Sequence, residues 1–250
     1  MIRAFRNRSL EAASLTLDEV LSLRESNIPV KIVLVHDVSY GADVIVARPG
    51  IHSIKGLRGK RVGVESGALG AFFMTRALEL SGMSLKDIDV VNLDVNLHED
   101  AIKADRIDAA VTFEPIRTRL LNQGYEEIFN SRQLPNEILD VLVVHNDIYE
   151  RYPKRIRKLL DSWFDSVEFM KHHEDEAAAM ISKRLNITPQ EVINSYKGLL
   201  VLSREQNKKL LTGEQPKLES SIKNIQRVLE QNQLLVKGVD IKGLIAGDML

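Results

Sequence analysis

Over the first 145 residues, short apolar runs alternate with stretches whose apolar positions recur every three or four residues. The runs at residues 30–35, 43–47, 62–64, 88–93, 107–112 and 140–144 have the β-branched character and the length of buried strands. Between them, helical spacing starts at Thr16, placed as an N-cap with Glu19 three residues later, and again over residues 72–81 and 99–104. Glu114-Pro115 opens a further helix to residue 122, because proline is tolerated in a first turn. From Pro153 onward the pattern is helical over residues 155–172, 174–184, 189–196 and 216–231. Strands alternating with helices, followed by a helical C-terminal part, predict an α/β protein with mainly parallel sheets.

Ligands of such sheets bind beyond the carboxyl ends of the strands. Those ends fall at residues 14–16, 36–41, 65–70 and 112–115, all polar or rich in small residues. They offer hydroxyls, backbone amides and one acid, with Tyr40 and Phe113 as candidate aromatic walls. The turn at residues 65–70 leads a strand into a helix through Ser66, Gly67 and Gly70; by itself it reads as an ordinary βα connection, or as a site where unpaired N–H groups and the positive end of the helix dipole can take an anionic group.

Composition narrows the partners. Lys and Arg number 34 against 35 Asp and Glu, a formal net charge of -1, which leaves no electrostatic footprint for nucleic acid or an anionic membrane. The absence of cysteine excludes disulfides, thiolate metal sites and thiol nucleophiles. No run of 18 apolar residues is present, and the N-terminal residues lack the apolar stretch of an export signal. At most the chain is expected to be peripheral to a membrane.

Several segments in order resemble the nitrate, sulfonate, taurine and thiamine-precursor binding proteins of ABC importers, the NMT1/THI5-like group. They are Ala13-Ser-Leu-Thr-Leu-Asp-Glu19, Asp37-Val-Ser-Tyr-Gly-Ala-Asp43, Lys60-Arg-Val-Gly-Val-Glu-Ser-Gly67 and Ile107-Asp-Ala-Ala-Val-Thr-Phe-Glu-Pro115. The resemblance implies a two-lobed, type II periplasmic-binding-protein-like fold of the Venus-flytrap kind. Lobe 1 would hold residues 1–50 and 139–250, and lobe 2 residues 51–138. It implies a non-enzymatic, periplasmic or membrane-anchored protein that captures a small anionic or heteroaromatic solute in an interlobe cleft and presents it to an ABC permease, with no cofactor. Ser14, Thr16, Ser39 and Tyr40 would face the solute from one lobe, and Ser66, Gly67, Ala68 and Leu69 from the other, with Phe113 and Glu114 at the edge. A sensory input domain, or an enzyme of menaquinone or thiamine-precursor synthesis on the same fold, are the other functions that the resemblance allows.

Family members carry a strand and helix ahead of the segment that begins near Ala4. Without them, a truncated first lobe is expected to expose two sheet edges and to self-associate, unless another segment fills the gap. The remaining suggestive residues have plainer readings. His172 and His173 diverge around a helix, His36 and Asp37 point to opposite sides of a strand end, and Trp163 has core spacing.

Overall fold

The structure, a computed structural model, describes residues 2–65 and 68–250. The strands are β1 (Ala12–Thr16), β2 (Val30–Ser39), β3 (Val44–Ala47), β4 (Arg61–Val64), β5 (Asp89–Asn92), β6 (Ala109–Thr112), β7 (Glu126–Asn130), β8 (Leu139–His145) and β9 (Leu199–Val201). The α-helices are α1 (Ile2–Arg6), α2 (Leu17–Glu25), α3 (Ala68–Leu80), α4 (His98–Lys103), α5 (Ile116–Leu121), α6 (Asn146–Arg151), α7 (Pro153–His172), α8 (Glu174–Leu185), α9 (Pro189–Tyr196), α10 (Arg204–Leu211) and α11 (Leu218–Gln231).

The chain divides into two compact units. Unit 1 comprises residues 1–38, 136–177 and 200–250; unit 2 comprises residues 39–135 and 178–199. The first crossing therefore falls before β3, and the boundary expected after residue 50 lies inside unit 2, because β3 pairs with β6 and β7 in its sheet. Residues 178–199 join unit 2 as well: Arg119 of α5 donates to Glu191 of α9 at 2.8 and 3.0 Å, and the Tyr40 N–H donates to the Gly198 carbonyl at 2.8 Å.

Unit 1 is built on a four-stranded sheet of order β1-β8-β2-β9. Here β8 lies between β1 and β2 and runs antiparallel to both. One face carries Leu34 and Leu142 beneath Ile156, Leu160 and Phe164 of α7, whose apolar residues recur at helical spacing. Burying that stripe is what fixes α7 on the sheet, at about 1.5–3 kcal/mol for each large side chain.

Unit 2 has a five-stranded sheet of order β5-β4-β6-β3-β7. Parallel pairing is confined to β4 with β5 and β6, whereas β3 pairs antiparallel on both sides. The sheets are thus mixed and not mainly parallel. Apolar periodicity reports burial, and it does not report the direction of the neighbouring strand.

Candidate functional site

In unit 1, the strand ends beneath α7 bring several polar side chains together. Thr16 of β1 stands opposite Asp140 of β8, and Asp140 stands opposite Asp37 of β2. A register shift between Val35 and Asp37 makes His36 the extra residue of a bulge. The imidazole, on the face of Leu34, meets the Ser14 hydroxyl at 2.9 Å and packs edge-on against Trp163 with ring centroids 4.3 Å apart; the bulge turns Asp37 to that face as well, so His36 and Asp37 do not point to opposite sides. Burial lowers the His36 pKa to about 4, so the ring is neutral at pH 7.

Four buried atoms of this group have no hydrogen-bond partner: Thr16 Oγ1, Asp18 Oδ2, His36 Nδ1 and Trp163 Nε1. Such atoms are rare in folded proteins, and their concentration at one strand end marks a place suited to a ligand. Asp18 lies in the first turn of α2, where Thr16 holds the N-cap position and its N–H donates to Glu19 at 3.1 Å. Burial pushes its carboxyl up to about 7, and the nearby charges of Glu19 and Asp140 act the same way. The Thr16 hydroxyl lies near enough to favour the charged form of Asp18, although neither atom completes a hydrogen bond of proper geometry.

In unit 2, the expected residues divide between internal supports and exposed groups. Ser39 is buried, its hydroxyl 2.8 Å from that of Ser131 and accepting from the Asp43 N–H at 3.3 Å, so it braces the turn that follows β2. Next to it Tyr40 is exposed, with the Arg132 guanidinium 5.6 Å from its ring centre. Phe113 is exposed as well. Glu114 accepts from the Thr118 N–H at 3.1 Å and the Thr118 hydroxyl at 2.9 Å, and it pairs with Arg117 at 3.2 Å. Its carboxylate is a cap for α5. Glu114→Ala is expected to cost about 1 kcal/mol in urea unfolding, the usual worth of a helix cap. Ala68 begins α3 and Leu69 is half-buried in its first turn, whereas Ser66 and Gly67 lie outside the described residues.

Ser14 and Thr16 are foreseeable from sequence as site residues, whereas Asp18, His36, Asp37 and Trp163 are not. The available signal is two acids at the ends of two β-branched runs, Asp37 after the run at 30–35 and Asp140 at the start of the run at 140–144. Two surface clefts of unit 1, of about 370 and 460 Å³, lie elsewhere, at the C-terminal end of α2 and along residues 213–245, and neither is lined by the strand-end residues. Among the described residues, no group of three or more His, Asp or Glu side chains is placed to hold a metal ion, and no helix is long and apolar enough to cross a membrane.

The family model described as "NMT1/THI5 like" matches residues 11–177, about two thirds of the chain. The chain belongs to the NMT1/THI5-like family. A Brucella abortus (strain 2308) protein, named only as a binding protein, is 24% identical to this NMT1/THI5-like chain over 184 residues, covering 72% of it and 57% of the relative. The chain therefore spans little more than half the length of the curated relatives that it matches. Among solved structures, the periplasmic aliphatic sulphonate binding protein SsuA from Escherichia coli is similar with a TM-score of 0.82 at 16% identity, covering 98% of this chain and 82% of that one. The alkanesulfonate-binding protein SsuA from Xanthomonas axonopodis pv. citri, bound to MOPS, has a TM-score of 0.83 at 14% identity, covering 98% and 83%. At these identities the likeness establishes the fold, a type II periplasmic-binding fold.

Proposed function

We propose that this NMT1/THI5-like protein is an extracytoplasmic solute-binding protein that hands a small molecule to an ABC permease. The observation that carries this reading is the set of orphaned buried atoms on Thr16, Asp18, His36 and Trp163, in a fold shared with sulfonate-binding proteins. Such a set binds and orients a ligand, and the ligand stabilises the protein in proportion to its affinity. An aromatic pair beside buried acceptors favours a heteroaromatic solute over a simple anion, although a sulfonate or nitrate bound at the start of α3 is the other solute class that the family resemblance supports.

Trp163 is the one tryptophan of the chain, so its emission reports this site without interference. Titration with pyrimidines, sulfonates, nitrate and carboxylates is expected to change the Trp163 emission and raise the Tm for one of these classes, with no product formed. A folded protein indifferent to all four would sink the reading, and turnover of any of them would move the chain to the enzymes of this fold.

A further inference from the structure

A formal net charge of -1 averages over cations that are unevenly placed. Residues 151–158 hold Arg151, Lys154, Arg155, Arg157 and Lys158 with no acid among them, and all five are exposed. Lysines of α4, α10 and α11 each pair with a glutamate four residues earlier. At the end of α6 and the start of α7, by contrast, none of the five cations forms an ion pair among the described residues, and the neighbouring Asp147 and Asp161 are engaged by Arg8 and Arg204. Glu150 is the single acid from residue 148 to residue 160.

That placement works against the helix. Cations are disfavoured in the first turn of α7, which holds no acid, and Lys154 and Lys158 repel each other one turn apart. Apolar surface lies among the charges: Tyr152 is 38% exposed, with the Arg155 guanidinium 4.8 Å from its ring centre, and Leu159, one turn after Arg155, is 46% exposed. Arg3 and Arg6 of α1 extend the cluster, exposed and likewise without an ion pair among the described residues. Phe5 stacks on His145 with ring centroids 4.0 Å apart, which sets α1 beside the start of α6.

We propose that this surface of unit 1 docks on anionic phospholipid headgroups, which keeps the protein at the membrane face where a permease takes up its solute. Each Lys or Arg near an anionic bilayer gains from the negative surface potential, and a tyrosine among them suits the headgroup level. Such attraction needs no matching shape, and it neutralises from outside a cluster that the chain leaves unpaired. Tyr152 and Leu159 add buried apolar area once the cations have brought the helix close. The choice of lipid over nucleic acid rests on the extracytoplasmic reading.

Flotation of the 250-residue chain with vesicles of phosphatidylcholine, and with vesicles of equimolar phosphatidylcholine and phosphatidylglycerol, tests the surface. The chain is expected to float with the anionic vesicles at low salt, to stay behind with the neutral ones, and to be released as added salt screens the attraction. In the Lys154→Gln/Arg155→Gln/Lys158→Gln variant, partitioning is expected to fall at least about tenfold, with Tm unchanged or raised. Should that variant not fold, Lys158→Gln alone decides the matter, with a fall of about threefold expected. Lys208→Gln/Lys209→Gln/Lys223→Gln removes the same charge from α10 and α11 and is expected to float like the parent. Parental partitioning in the α7 variants, an equal loss in the control, or no flotation at low salt overturns the proposal. Retention on immobilised poly-glutamate without flotation assigns the surface to an acidic protein and overturns the lipid claim as well. None of these results alters the solute titration, so the solute-binding reading and the docking surface fail separately.

Discussion

Asn207→Ala is expected to lower the unfolding free energy by about 3 kcal/mol. Asn207 of α10 is fully buried and acts as a substitute strand beside β2: its Oδ1 accepts from the Val35 N–H at 2.7 Å, and its Nδ2 donates to the Val35 carbonyl at 2.9 Å. The same Nδ2 reaches the Ser203 carbonyl at 3.2 Å, tying the start of α10 to the sheet. Alanine removes all three contacts and leaves two buried backbone groups without a partner. Desolvation of each costs about 1–3 kcal/mol, far more than the net value of a hydrogen bond whose two partners are lost together. Urea unfolding measures the loss, and faster hydrogen exchange at the Val35 amide locates it; an unchanged midpoint would show that water replaces the side chain.

The second large effect depends on pH. Unfolded, Asp18 gives up its proton near the usual 3.8; in the fold, burial holds the proton until about 7. Between those values the native chain keeps a proton that the unfolded chain has released. The stabilising contribution is therefore complete below pH 4 and disappears as pH rises through 7. Asp18→Asn, neutral at every pH, is expected to match the parent near pH 4 and to exceed it by up to about 4 kcal/mol at pH 8, since every tenfold difference in proton affinity between the folded and unfolded chain is worth about 1.36 kcal/mol. Chemical denaturation at the two pH values checks this, and equal differences at both would place the carboxyl in water.

The elements legible in the sequence are those whose own residues decide them. The run from Val30 and the run ending at Val144 become β2 and β8, Thr16 stands at the N-cap position of α2, and Pro153 opens α7. β7 is hidden because Glu126 and Glu127 disguise a strand whose only well-buried residue is Phe129. α10 is hidden because its sequence is almost wholly polar, and it is held by Asn207 more than by an apolar stripe. At the candidate site, Ser14 and Thr16 are recognisable from their place at a strand end. Asp18 is not, because an acid in a first helical turn reads as a solvated partner of the dipole, and only the packed fold buries it. Asp37 and Trp163 escape for a different reason: a bulge reverses the direction that strict alternation assigns to Asp37, and Trp163 comes from a helix far along the chain. Glu114, equally suited by sequence to a ligand or to a helix start, is engaged by Thr118 and Arg117.

The place of β8 between β1 and β2 sets the order in which a growing chain can settle. The sheet of unit 2 draws only on residues 44–130, all of which leave the ribosome before β8 does. Residues 12–39 emerge before them and yet wait longer for the strand that joins them. Bridging so long a separation carries a loop-closure cost and slows folding. During that interval two apolar strands lack a neighbour, so this part of the chain is the part most in need of a chaperone.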